Sequence, residues 1–118
     1  CIEYSDDGKM VSQRWHRDGL VHRDNFPAWI EYRKSGKKVS ERWYCNGRLH
    51  RHNDLYPAWI KYYESGKIES ERWYDHGNLH YDYDGPAMIY YNERGIIMSQ
   101  SWYLDGFLCL RKNGEDIL

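Results

Sequence analysis

Four tryptophans, Trp15, Trp43, Trp73 and Trp102, stand 28, 30 and 29 residues apart. A recurring interval of this size constrains the fold more than any other feature, because each copy becomes one supersecondary unit that must be buried against its neighbours. The spacings inside the copies are stricter still. Pro27 to Gly36, Pro57 to Gly66 and Pro86 to Gly95 are each nine residues, and Gly8, Gly36, Gly66 and Gly95 each precede their Trp by seven. Four residues after each Trp comes Gly19, Gly47, Gly77 or Gly106, and three beyond the first three of these stands His22, His50 or His80. Only the stretch from His to Pro changes length, as expected of a tolerant surface link between rigid paired elements.

The elements read as strands. "PAWIEYR", "PAWIKYY" and "PAMIYYN" are short, rich in Ile, Trp and Tyr, and open with the Pro that a strand interior excludes. "KVSERWY", "IESERWY" and "IMSQSWY" follow each after one turn, with an earlier copy "MVSQRWH". No stretch carries a helical period. In the turns, Ser35, Ser65 and Arg94 precede Gly36, Gly66 and Gly95, and a type I′ turn would force positive φ on residues that avoid it. A three-residue loop ending in a left-handed Gly is expected instead. Under that register Tyr32 faces Lys38 and Ile30 faces Ser40. Ala28, Ile30 and Tyr32 then share a face with Ser40 and Arg42, and Trp29 and Glu31 share the other with Val39, Glu41 and Trp43. A slip of one residue would exchange the faces of the second strand.

A single two-stranded unit is not stable in water. The expected fold is therefore all-β, an elongated antiparallel sheet solenoid of tandem hairpins with about 29 residues per copy. Residues 1–118 form one repeat domain, with a partial first repeat in 1–26, repeats in 27–56 and 57–85, and a last repeat with a C-terminal cap in 86–118. Tyr4 and Ile2 occupy the slots of Tyr32 and Ile30, so the chain is expected to begin in mid-strand, as a piece of a longer array or as a degenerate cap. After "SWYLDGFL" the His slot holds Cys109, and "LRKNGEDIL" reads as an atypical terminal copy in which "KNGE" has the composition of a last turn.

Composition removes several functions. Seventeen Lys and Arg against 18 Asp and Glu give a net charge of -1, which offers no general attraction to nucleic acid or anionic membranes. Charged residues reach 30%, but 17% aromatic content argues for order. Cys1, Cys45 and Cys109 are odd in number and lack framework spacing, which suits incidental thiols in a reducing, intracellular compartment.

The unit "YYESGKIESERWYDHGNLH", with links of the type "LHRHNDLYPA", resembles a variant of the MORN repeat found in antitoxin-like proteins and in proteins of large DNA viruses of amoebae. The motif is nearly complete from Ser35 to Arg51, and the resemblance spans the chain. Classical units are shorter and carry Gly after the His, where this sequence has Arg23, Arg51 and Tyr81. The resemblance implies a hairpin solenoid used for protein contact, scaffolding or oligomerisation, with membrane or lipid association in some relatives and no common catalytic residue. It further implies a virion-structural or infection-associated protein, in the host cytoplasm or the virion; the alternative is an antitoxin or immunity protein that binds one toxin.

No site of chemistry emerges beside the repeat. Equivalent histidines in successive copies lie two strands, roughly 9–10 Å, apart, whereas the ligands of one zinc lie about 2 Å from it. His22, His50 and His80 therefore cannot share an ion. A local group of His50, His52 and Asp54 is weighed against a His ring hydrogen-bonded to the following loop. The link "YDYDG" supplies two carboxylates where calcium needs six to eight oxygens. Ser12, Ser40, Ser70 and Ser99, like Glu41 and Glu71, follow the period of the stack and do not make the single asymmetric cluster that catalysis requires. The reading is a non-enzymatic scaffold without metal or cofactor, whose partner is a protein, itself or another scaffold component. Trp29, Trp59 and Met88, flanked by Tyr63 and Tyr90, form the candidate interaction stripe, and the same aromatics can serve as cross-strand packing.

Overall fold

In the computed structural model, which describes residues 2–4, 6, 8–51, 56–80, 86–104 and 107–112, each full copy of the repeat makes two hairpins. The long strands are β1 (Ile2–Tyr4) and β2 (Met10–Arg14), followed by a small hairpin of β3 (His16–Arg17) and β4 (Leu20–Val21). The pattern recurs as β5 (Trp29–Tyr32) and β6 (Lys38–Arg42) with β7 (Tyr44–Cys45) and β8 (Arg48–Leu49). It recurs again as β9 (Trp59–Tyr62) and β10 (Ile68–Arg72) with β11 (Tyr74–Asp75) and β12 (Asn78–Leu79). The last members are β13 (Met88–Tyr91), β14 (Ile97–Leu104) and β15 (Phe107–Lys112).

The long strands lie side by side in chain order in one nine-stranded antiparallel sheet, and the small hairpins are three separate two-stranded ribbons. There is no helix among the described residues, and so none long and apolar enough to cross a membrane. The overall extents are 49 × 35 × 18 Å. The smallest of these leaves room for one layer with its side chains, given that stacked sheets lie about 10 Å apart before their outer faces are counted.

The turns within the long hairpins are three-residue loops. Gly36 N donates to Arg33 O at 2.9 Å and Arg33 N to Lys37 O at 2.8 Å, with Gly36 at φ 89°. The same bonds recur at Tyr63, Gly66 and Lys67 and at Asn92, Gly95 and Ile96. The register beyond the turn differs from the sequence expectation. Tyr32 does face Lys38, but Glu31 faces Ser40, Ile30 faces Glu41 and Trp29 faces Arg42. A bulge leaves Val39 unpaired and shifts everything after it by one residue; Val11, Glu69 and Met98 are skipped in the same way. The faces of the second strand are thereby exchanged. Trp29 and Glu31 share a face with Ser40 and Arg42, while Ile30 and Tyr32 share the other with Glu41.

The tryptophans of the repeat are pivots. Trp15, Trp43 and Trp73 each donate their backbone N–H to the carbonyl of Ala28, Ala58 or Ala87, at 2.7–2.9 Å, within the long sheet. Their own carbonyls accept from His22, His50 and His80 at the far end of the small hairpins. The three alanines are 0–1% exposed and Trp43 and Trp73 are 9% and 8% exposed, so the branch point between the two rows of hairpins is the core. At Trp102 the chain does not pivot: β14 runs straight through it, and Trp102 pairs with Leu110 of β15. The atypical last copy is thus a plain strand pair.

Each small hairpin closes in a two-residue type I′ turn, with positive φ at Asp18–Gly19, Asn46–Gly47 and His76–Gly77. The hairpins stack on one another through Gly47 N to Val21 O and Gly77 N to Leu49 O, both 2.9 Å. A Cβ on Gly47 would stand 3.4 Å from Leu20 Cδ2, in van der Waals contact, so the φ of 82° and not this approach asks for Gly. β1 pairs Ile2 with Gln13 and Tyr4 with Met10, the register that Ile30 and Tyr32 have in the next copy.

Candidate functional site

On the face that carries the tryptophan side chains, the register aligns Arg14, Trp29, Arg42, Trp59, Arg72, Met88 and Ser101 across successive strands from β2 to β14. Arginine and tryptophan alternate along the first five of these positions, and each guanidinium stacks on a neighbouring indole. Arg14 lies 5.1 Å and Arg42 4.5 Å from the Trp29 ring centre, and Arg42 and Arg72 each lie 4.4 Å from that of Trp59. Contacts of this kind contribute about 0.5–2 kcal/mol each when partly desolvated. Arg was not among the residues singled out from the sequence, yet the signal is present in "QRW" and twice in "ERW". In the last copy Ser101 stands in its place and Met88 in place of the indole, so the ladder ends there.

Carboxylates anchor the ladder. Glu31 Oε1 accepts from Arg42 Nη2 at 2.9 Å and from Ser40 Oγ at 3.1 Å, and Glu3 accepts from Arg14 at 2.9 Å. The corresponding residue of the next copy is Lys61, so Ser70 Oγ, fully buried, has no hydrogen-bond partner among the described residues. Arg72 Nη2 donates instead to Tyr90 Oη at 2.9 Å. Tyr44 and Tyr74, from the small hairpins, lean against Trp29 and Trp59 at 6.3 and 6.5 Å between ring centres. Burial raises the pKa of the Tyr74 phenol above its ordinary value.

The opposite face is aliphatic and acidic. Ile30, Ile60 and Ile89 alternate with Glu41 and Glu71, flanked by Gln13 and Gln100. Each acid is reached by a phenol from the next hairpin: Tyr62 donates to Glu41 and Tyr91 to Glu71, as Tyr32 does to Gln13 at 3.0 Å. Burial first, and then the hydrogen bond and charge of the acid, push both Tyr62 and Tyr91 well above the usual phenol pKa.

Of the residues expected to form the interaction stripe, Trp29, Trp59 and Met88 lie on one register line, half-buried, and Tyr90 joins them through Arg72. Tyr63 is placed differently. It sits at the turn, and its hydroxyl donates to the Tyr91 carbonyl at 2.6 Å, tying one hairpin to the next as Arg33 does to the Tyr62 carbonyl. His22, 5% exposed, is held through Nε2 to Asp24 at 2.8 Å and through Nδ1 to the backbone N–H of Asn46 at 3.1 Å. His50 Nδ1 likewise accepts from His76 N at 3.2 Å.

His52 and Asp54 lie outside the described residues, as do Cys1, the link 81–85 and all of the "KNGE" segment after Lys112. The structure instead brings His50 to Asp75 and His76 of the following small hairpin, within reach of a common ion. No protein-family model matches this chain, and neither does any curated protein or solved structure.

Proposed function

We propose that this protein is a non-catalytic repeat scaffold, a MORN-like hairpin solenoid that binds another protein, a second copy of itself being the first candidate. One observation carries the reading: the continuous line Arg14–Trp29–Arg42–Trp59–Arg72 on a single sheet face. Trp, Tyr and Arg are the residue types that dominate binding energy at protein interfaces, because large planar groups lose little entropy when fixed. The flanking Glu3 and Glu31 keep the line from being purely cationic, which fits a mixed, protein-like partner surface better than a polyanion. The repeat motif's resemblance to proteins of large DNA viruses supports placing such a scaffold in a virion or in the infected cytoplasm.

Sedimentation velocity over a range of concentrations tests the reading, with Trp59→Ala and Arg72→Ala as variants. Self-association weakened at least about tenfold by either change, about 1.4 kcal/mol, is the expected result. A chain that stays monomeric, and whose variants recover the same proteins from its source as the parent does, removes this face from the function.

A further inference from the structure

A repeat makes its own departures visible. The second residue of β7 and the turn residue after it are Cys45 and Asn46; the same two places in the next copy hold Asp75 and His76. The second exchange introduces an imidazole and the first puts a carboxylate where a thiol stood, and both new side chains stand beside His50. Asp75 Oδ1 lies 2.6 Å from His76 Nδ1 and 3.4 Å from His50 Nδ1, so one carboxylate oxygen faces two imidazole nitrogens. The two rings lie 4.5 Å centre to centre, and one donor atom from each of the three residues falls within 4.8 Å of the others.

Turn chemistry does not account for His76. The position has φ 47°, in the left-handed region that the first residue of a type I′ turn demands, and Asn or Asp fills it better, as in the two earlier copies. Packing does not account for it either, since its side chain is 72% exposed. Histidines at equivalent repeat positions are too far apart to share an ion, but His50 and His76 are not equivalent. One closes a small hairpin and the other sits at the tip of the next.

We propose that His50, Asp75 and His76 form a binding site for a divalent transition metal of the zinc class. Two imidazole nitrogens and one carboxylate oxygen suit zinc, nickel or copper and are too few in oxygen for calcium or magnesium. With metal–ligand bonds of about 2.0–2.2 Å, tetrahedral donors stand roughly 3.4 Å apart. His50 Nδ1 and Asp75 Oδ1 already stand at that separation, the Asp75–His76 pair has to open from 2.6 Å, and no donor pair starts wider than 4.8 Å, adjustments of about 1 Å that side-chain rotation supplies. Solvent completes the coordination on the open side. Capture through His50 Nδ1 exchanges the hydrogen bond from His76 N, which lowers the affinity. The bound ion ties the small hairpin of β7 and β8 to that of β11 and β12.

The test is calorimetric titration of the chelator-treated chain with zinc chloride, beside its thermal unfolding. One saturable site and a raised midpoint are expected. His76→Asn, which supplies the side chain found at Asn46, keeps the turn and loses at least about tenfold in affinity, roughly 1.4 kcal/mol; Asp75→Asn loses a similar amount. The absence of saturable binding overturns the proposal. So does binding unchanged in His76→Asn, or binding that survives there and disappears in His52→Ala.

Discussion

The guanidinium of Arg42 stands 4.4 Å from the centre of the Trp59 ring, across the seam where one long hairpin meets the next. It also lies 4.5 Å from Trp29, within its own hairpin, and its Nη2 holds Glu31 at 2.9 Å. Removing it uncovers two indoles and leaves a half-buried carboxylate with only Ser40. Arg42→Ala should lower unfolding stability by about 2–3 kcal/mol, read as the shift in urea midpoint. Arg42→Lys should recover less than half, since an ammonium lacks the flat surface that lies between two rings. Arg14, which touches one indole at 5.1 Å, sets the control. Equal losses for Arg14→Ala and Arg42→Ala would show that the seam does not depend on this stacking.

Ser40 and Ser70 occupy equivalent positions with opposite hydrogen-bond fates. Ser40 donates to Glu31, whereas Ser70 faces Lys61 and is buried without an acceptor among the described residues. Ser40→Ala should therefore cost about 1 kcal/mol, and Ser70→Ala should be neutral or slightly stabilising. Lys61→Glu, which restores the acceptor found in the preceding copy, should stabilise by about 0.5–1.5 kcal/mol by serving both Ser70 and Arg72. Urea midpoints of the three variants decide the matter, and a loss in Lys61→Glu would count against it.

These pairs show how far the sequence could be read. Period, strand identity and the three-residue turns follow from the fixed Pro, Gly and Trp spacings, because those residues act locally on the backbone. Face assignment does not, since it hinges on Val39, Glu69 and Met98 being skipped, and nothing in a residue's type marks it as the extra member of a bulge. The small hairpins are absent from the sequence expectation of one hairpin per copy, although Asp18–Gly19 and Asn46–Gly47 are dipeptides that favour type I′ turns. His76–Gly77 hides the third copy of that signal, and the contact of His50 with Asp75 and His76 spans two hairpins that no spacing rule joins. The arginine ladder is legible only once register places Arg42 opposite Trp29.

The phenols of Tyr62 and Tyr91 give stability a defined alkaline limit. Both have folded-state pKa values raised above the ordinary phenol, by burial and by the acceptors Glu41 and Glu71. A raised value means that the folded chain holds the proton more tightly than the unfolded chain. The contribution is then fully present below the unfolded pKa of about 10, and it is lost as pH rises from there through the folded value. The urea midpoint should stay flat from about pH 7 to about pH 9 as far as these phenols are concerned, and fall above about pH 10. The double variant Tyr62→Phe, Tyr91→Phe should start about 1–3 kcal/mol lower and fall less steeply. Parallel alkaline slopes in parent and variant would exclude these phenols as the cause.

Two of the links of unequal length, those after His22 and His50, are held by one arginine each. Arg51 stacks 3.9 Å from the Trp43 ring centre and 4.9 Å from that of Tyr56, and its Nη1 donates to the Pro57 carbonyl at 3.0 Å. Arg23 does the same between Trp15, Phe26 and Pro27 across a shorter link. The guanidinium thus fixes the first residue after the His to the Pro that opens the next strand, so the residues between are free to vary in number. Burial lowers the Arg51 pKa from its ordinary value, but that value starts so high that the charge persists at neutral pH. Arg51→Ala should cost about 1–3 kcal/mol, and Arg51→Lys should restore little, because the clamp needs a plane between two rings and a donor at its edge. A one-residue insertion between Asn25 and Phe26 should cost less than about 1 kcal/mol while Arg23 is present. Combined with Arg23→Ala, the insertion should cost more than the two changes summed, as coupled sites do. Simple additivity in that double variant would mean that the link is held by something other than its arginine.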